Sequence, residues 1–315
     1  MHLLRNLTIC LLLICSFTYS QNHQVDSVKI AFVSDTQEPT LFERLFLSYN
    51  NNAKARELIF NKIVADSPGV VFHLGDLVAS GLISSWEEID TLVSRLKNQK
   101  AYVYPVPGNH EYIPFGDVSA ASYFKRFGVL SGICYSTRIN QLGVILINSN
   151  FDELSRKERN FLLEKYSKLI TLYENDSNIK QIIVACHHSP FTNSKIVSPS
   201  KDVQKYLLPE FFKSKKTILF LSGHSHAFEH FKIYGKDFLV IGGGGGIQQP
   251  LYLNKDALFK DLYSQTEEKR MFHFIEISIT EKNINVRLNM LKETFDGFKT
   301  SKYSAFLIEF LQDYK

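Results

Sequence analysis

Cysteine is scarce in this chain, four in 315 residues, which excludes a small scaffold held together by disulfides. There is a single tryptophan, Trp86, and it falls in a helix-like segment where packing is the expected role. No apolar run beyond the N-terminus approaches the length needed to span a bilayer, so no transmembrane segment is expected. Charge of one sign is also lacking. Lys plus Arg is 36 and Asp plus Glu is 32, a net charge of +4. The densest basic cluster, Lys213-Ser214-Lys215-Lys216, reads as a solvated loop before a strand. No basic face or stripe emerges, and a nucleic-acid-binding signature is absent. Internal repeats, low-complexity linkers and Pro-rich boundaries are missing too, so one domain is expected over residues 21–315.

What is present is ordinary for a globular protein: 44% hydrophobic and 22% charged residues. The N-terminus has the form of a secretory leader. Arg5 supplies a positive start, residues 7–17 an apolar stretch too short to span a membrane, and Thr18 and Ser20 a small-residue cleavage site before Gln21. Residues 1–20 are therefore expected to be a signal peptide of a secreted or periplasmic protein. The rival is a lipoprotein anchored at Cys15, which the bulky Ile14 disfavours. Export leaves Cys134 and Cys186. Both lie in strand-like runs, where buried thiols are the simplest expectation.

Strand-length apolar runs occur at 28–34, 70–74, 102–106, 142–148, 180–186, 217–222, 237–241, 271–279 and 284–291. Helix-like patterns occur at 53–65, 84–97, 119–127, 155–174 and 201–213. Such alternation predicts an α/β fold with helices packed on sheets. The last two runs, separated by residues 280–283, predict a hairpin. Five consecutive glycines at 242–246 leave two readings open: a flexible loop, or a backbone that must pass close to a site.

Five of the apolar runs end on side chains suited to metals. They deliver Asp35, Asp76, Asn109 with His110, the pair His187 and His188, and His224 with His226. In α/β sheets, ligands bind beyond the carboxyl ends of strands, where loops gather separate residues. A set of hard carboxylates and borderline imidazoles suits Zn, Mn or Fe. A carboxylate between two cations can bridge them, and such a pair can clamp an in-line displacement at phosphorus. Singly, each residue has a bland alternative, such as an Asp capping a turn; jointly the five point to one site.

Gly75-Asp76, Gly108-Asn109-His110-Glu111 and the stretch from Gly223 to His230 resemble the calcineurin-like metallophosphoesterase superfamily, in particular its purple-acid-phosphatase-like branch. The resemblance implies a four-layer α/β sandwich of two mixed β-sheets flanked by helices. It implies two metal ions, Mn, Fe or Zn, and a small phosphorylated substrate. It also implies an acid-phosphatase-like hydrolysis of phosphate esters by a metal-bound hydroxide, with monoesters favoured over diesters. Carried over residue by residue, Asp35 and His226 bind the first metal, Asp76 bridges, and Asn109 and His224 bind the second. His110 acts as general acid beside the metals. The pattern His-x-(Ser/Pro)-Pro-aromatic selects His187 as the remaining ligand; a shift of one residue selects His188, which otherwise faces substrate. Two departures stand out. Gln37 replaces the usual histidine ligand of the first motif and offers a weaker amide oxygen. Ala79 stands where relatives carry a tyrosine ligand or a carboxylate supporting the catalytic histidine. These departures support an alternative, a metal-bearing binding protein that has lost catalysis; the presence of Asp76 and His110 opposes it. Glu111 and Tyr112 are expected to support their loop, and His73, His230 and His273 to be structural.

Overall fold

A computed structural model describes residues 22–23, 28–47, 50–82, 86–128, 132–263, 267–279 and 284–302. The leader, Cys15 and Gln21 lie outside these residues. Among the described residues, no helix is long and apolar enough to cross a membrane.

Two mixed sheets form the centre. The first has the order β1-β5-β6-β7-β8-β10-β9, built from Asn22–His23, Cys134–Ile139, Leu142–Ile147, Gln181–Cys186, Thr217–Ser222, Lys236–Ile241 and Phe228–Ile233. The second has the order β13-β12-β11-β2-β3-β4, built from Phe298–Lys302, Ile284–Leu291, His273–Ile279, Lys29–Val33, Val70–His73 and Tyr102–Pro105. Strands β6, β7 and β8 run parallel in the first sheet, and β2, β3 and β4 in the second.

The layering follows from period-two side-chain alternation. In β2, Ile30 and Phe32 enter a core shared with Val144, Leu146, Ile183, Ala185 and Leu221 of the other sheet. The alternate residues Ala31 and Val33 face helices α2 (Asn52–Asp66) and α3 (Glu87–Asn98) through Ala55, Ile59, Ile63, Ile89 and Leu92. In β7, Ile182, Val184 and Cys186 likewise turn outward onto α5 (Arg156–Asn175) through Leu162, Tyr166 and Ile170. Strands buried on both faces read as continuous apolar runs, which is why they are legible. The result is the expected helix–sheet–sheet–helix sandwich.

Local differences have physical causes. The pattern at 201–213 predicts one helix, but α6 (Lys201–Tyr206) and α7 (Leu208–Lys213) are separate. Pro209 lies at the start of α7 and cannot continue the ladder of α6. A short helix α1 (Leu41–Phe46), held by a Thr40–Glu43 capping box, and the strands β5, β9 and β13 carry no long apolar run and escape the pattern. The remaining helix, α4, spans Asp117–Phe127. The predicted hairpin pairing of β11 with β12 is present; its turn, 280–283, lies outside the described residues. Cys134 and Cys186 are buried free thiols.

The glycine run is packed, and of its two readings the close-approach one holds. The Gly244 N–H donates to the Ser34 carbonyl and the Gly246 N–H to that of Asp35, while Asn52 at the start of α2 donates to the carbonyls of Gly245 and Gly246. A methyl group on Gly244 would sit 2.3 Å from the Ser34 carbonyl oxygen, and one on Gly246 2.7 Å from the His226 ring. Only bare backbone fits there.

Candidate metal centre

The parallel strands of both sheets point their carboxyl ends to one side. Immediately beyond them lie Asp35 after β2, Asp76 after β3, Asn109 and His110 after β4, His187 and His188 after β7, and His224 and His226 after β8. The loops lock together across the sheets. The Asp35 N–H donates to the Gly75 carbonyl, and the N–H groups of Thr36 and Gln37 to that of Asp76. The His224 N–H donates to both Asp35 carboxylate oxygens at 3.0 Å. Asp35, Asp76, His224 and His226 all have left-handed backbones, with φ of 59°, 52°, 71° and 46°. Such conformations cost of order 1–3 kcal/mol each and gather at functional sites.

Two half-sites share Asp76. On one side, His187 Nε2 lies 3.1 Å from Asn109 Oδ1, 3.1 Å from His224 Nδ1 and 3.4 Å from Asp76 Oδ2. On the other, His226 Nε2 lies 3.3 Å from Asp35 Oδ1 and 3.0 Å from Gln37 Nε2, which is 3.2 Å from Asp76 Oδ2. Asp35, Gln37, Asp76, His187 and His226 are buried. Asn109, His110, His188 and His224 are half-buried and form the open side. The groups Asp35, Asp76, His187 and His187, His188, His224 each bring their ligand atoms within 4.8 Å of one another.

Tautomers are fixed from outside the cluster. The Nδ1–H of His187 donates to the Leu74 carbonyl at 2.9 Å, and that of His226 to the Ile247 carbonyl at 2.7 Å. A carbonyl oxygen can only accept, so both Nε2 atoms are left to face the carboxylates. This is how metal-binding imidazoles are oriented. Burial opposes charge on His187, but the Asp76 carboxylate outweighs it and lifts the imidazole to about 9. Asp76 itself is held well below the usual range: burial opposes this, and the charges of His187 and His110 overcome it. Carboxylate oxygens and imidazole nitrogens thus gather within 4.8 Å of one another on buried ground, and this donor set fits metal binding.

The two adjacent histidines are oriented by different partners. His187 points into the cluster. His188 turns its Nδ1 to Ser149 Oγ at 2.9 Å, and the same hydroxyl accepts the His188 main-chain N–H. Burial and the neighbouring His187 push His188 down to about 3. Its ring packs 4.6 Å from that of His224.

His110 holds Asp76 rather than a carboxylate partner of its own. Its main-chain N–H donates to Asp76 Oδ1 at 2.9 Å, and its Nε2 lies 3.8 Å from Asp76 Oδ2. The side chain of Ala79 offers no partner, yet the Ala79 carbonyl accepts the His110 Nδ1–H at 2.9 Å. The ring is thus oriented by main chain rather than by the carboxylate the motif resemblance leads one to expect.

Glu111 and Tyr112 do support the loop. The Glu111 carboxyl accepts N–H groups of Asp76, Leu77, Val78 and Gly108, at 3.0, 2.8, 3.3 and 2.6 Å. Burial and the Asp76 charge raise it to about 7 against the pull of the Gly108 N–H. Tyr112 Oη accepts from Asn148 Nδ2. His73, His230 and His273 are buried, bonded to Thr36, Asp237 and the Met271 carbonyl. Sequence reasoning misses two contributors. Residues 148–150, Asn-Ser-Asn, follow β6 as a further polar strand end and carry Ser149; they match no part of the recognised motifs, which hides them. Glu229, buried under the Gly-His-Ser-His loop, accepts from Thr192 Oγ1, the Asn193 N–H and Ser225 Oγ. Its place in the run Ala-Phe-Glu-His is the available signal.

A family model described as calcineurin-like phosphoesterase matches residues 28–228. Among curated proteins none matches the chain. Among solved structures, GAP50, the anchor in the inner membrane complex of Plasmodium, is similar with a TM-score of 0.65 and 14% identity over 88% of this chain and 89% of that one. A purple acid phosphatase from yellow lupin (Lupinus luteus) seeds has a TM-score of 0.58 and 16% identity over 89% of this chain and 54% of that one. A dimetal phosphatase from Danio rerio has a TM-score of 0.55 and 13% identity over 88% and 98%. At such identities the likeness speaks for the fold, whereas the sequence match spans every strand-end segment that supplies the cluster. On that match, the chain belongs to the calcineurin-like phosphoesterase family.

Proposed function

We propose that this protein hydrolyses phosphate monoesters at a dinuclear metal site. The carrying observation is that the Nε2 atoms of His187 and His226, both with Nδ1 spent on carbonyls, face two carboxylates of one cluster, His187 meeting Asp76 and His226 meeting Asp35, with Gln37 between His226 and Asp76. In this reading Asp35, Gln37, Asp76 and His226 hold the first cation, and Asp76, Asn109, His187 and His224 the second. The cations supply Lewis-acid chemistry: neutralisation of phosphoryl charge and acidification of water.

The chain's own residues supply the rest. Asp35 and Asp76, fixed by N–H donors, keep their oxygens aimed inward. His110, on the open side, delivers a proton from Nε2 to the departing alcohol, its Nδ1–H anchored on Ala79. His188, also on the open side, contacts the substrate. Monoesters are favoured by the motif resemblance to purple acid phosphatases. The likeness to GAP50, described as an anchor, favours the second reading, a metal-bearing binding protein; the His110 geometry speaks against it.

Turnover of an aryl phosphate decides between them. With Mn²⁺, monoester hydrolysis should exceed that of the bis-aryl diester, disappear on chelation, and return with Mn²⁺, Zn²⁺ or Fe²⁺. Unchanged turnover after verified metal removal would end the dinuclear reading, and no turnover by the loaded protein would favour the binding role.

The histidine register has its own test. His187→Ala should lower metal affinity by at least the roughly 10–100-fold that follows loss of a ligand's supporting partner. His188→Ala should retain metal and raise KM. If His188→Ala shows the larger affinity loss in equilibrium dialysis, the two roles are exchanged.

A further inference from the structure

The proposed first cation position contains an amide where the motif resemblance implies an imidazole. Gln37 is buried, and its Nε2 lies 3.0 Å from His226 Nε2 and 3.2 Å from Asp76 Oδ2. The Asp76 oxygen can only accept, and the neutral His226 ring, its Nδ1–H committed to the Ile247 carbonyl, also accepts at Nε2. The amide must therefore face them with its nitrogen, and those are the same lone pairs a cation would take. The other end of the amide is loose: Gln37 Oε1 is buried and meets no donor among the described residues. Turning the amide over sacrifices no hydrogen bond at the oxygen.

Resting on the dinuclear reading, we propose that Gln37 sets the metal preference of the first position: its amide nitrogen fills that position before loading, and its oxygen becomes a ligand on loading. Loading then requires the amide to turn over and give up both contacts of its nitrogen, a rearrangement the second position, whose ligand atoms on Asn109, His187 and His224 already face one another, does not need. It also leaves three oxygen donors, from Asp35, Asp76 and Gln37, against one nitrogen, from His226. Carbonyl and carboxylate oxygens suit Mn²⁺ and Mg²⁺, whereas imidazole suits Zn²⁺. The second position, with His187 and His224, keeps the nitrogen-rich set. The two positions are thus unequal in strength and in kind, and they load in order, second then first.

Equilibrium dialysis of the chelator-stripped full chain against Mn²⁺ or Zn²⁺ alone, with bound metal counted by mass spectrometry, tests this without reference to turnover. The wild type should bind two unequal equivalents. Gln37→His should tighten the weaker equivalent for Zn²⁺ at least about tenfold, with a smaller change for Mn²⁺. Gln37→Ala should loosen the weaker equivalent for Mn²⁺ by roughly 10–100-fold. The tighter equivalent should persist in every variant and serves as the control for folding. A Gln37→Ala protein that binds the weaker Mn²⁺ as tightly as the wild type, or tighter, overturns the ligand role, because the amide then only obstructs. Equal tightening for both metals in Gln37→His overturns the preference. Absence of both equivalents from every variant would instead bring down the dinuclear reading itself.

Discussion

Asp76→Asn should empty both cation positions at once and reduce phosphate-ester turnover on the order of 10³-fold or more. The magnitude follows from the several kcal/mol that metal ions contribute to such a transition state and a factor of ten for each ~1.4 kcal/mol. Asp76 Oδ2 faces both the His187 and the Gln37–His226 sides of the cluster, and this one carboxylate joins the half-sites. Asparagine is the informative replacement. It tolerates the left-handed backbone at this position, φ 52°. Its Oδ1 can still accept the His110 N–H, so the loop is retained. Asp35→Asn should chiefly weaken the first position, since Asp35 meets His226 and the His224 N–H but lies on one side of the pair. Metal analysis of the two variants separates them; full two-metal occupancy in Asp76→Asn contradicts the bridging role.

His110→Ala should keep its metals and lose roughly 10²–10⁴-fold in turnover, the range of a well-placed general acid. The side chain is 12% exposed on the open side, and the main-chain N–H that holds Asp76 Oδ1 survives the substitution; what is lost at Asp76 is the nearby imidazole charge. The loss should grow with the basicity of the leaving group, because an alkoxide needs a proton and a nitrophenolate does not. The Ala79 carbonyl orients the imidazole without the charge that a carboxylate would add. Equal losses for alkyl and activated aryl phosphates would assign His110 to electrostatic support alone, and a metal-free variant would remove it from both roles.

The strand-end residues are legible from the amino-acid order because their signals are local. An apolar run buried on both faces, followed at once by Asp, Asn or His, is written in adjacent positions. Asp35, Asp76, Asn109, His224 and His226 are of this kind, and the order of their motifs carries the family resemblance. The sheets themselves are legible for the same reason, in β2, β3, β6, β7, β8 and β11. Where strands mix polar residues into the run, as in the Cys-Tyr-Ser-Thr-Arg-Ile of β5 or the Phe-Glu-His-Phe-Lys-Ile of β9, the signal is lost. Those strands are stabilised by pairing with β6 and β10, contacts that no short window of residues records.

Local sequence dictates which residue types arrive at the end of each strand, since burial and alternation are properties of neighbouring side chains. How each of two adjacent histidines is oriented depends on the packing of distant strands. Consecutive side chains leave a strand end in opposite directions, and the partner that orients each one, the Leu74 carbonyl for His187 and Ser149 for His188, comes from a different strand. The same holds for Glu111, whose meaning lies in four N–H groups on two loops, and for the five glycines. Their lack of side chains is visible in the sequence, but its cause, the Ser34 carbonyl and the His226 ring at contact distance, arises only when β2, β8 and β10 end side by side.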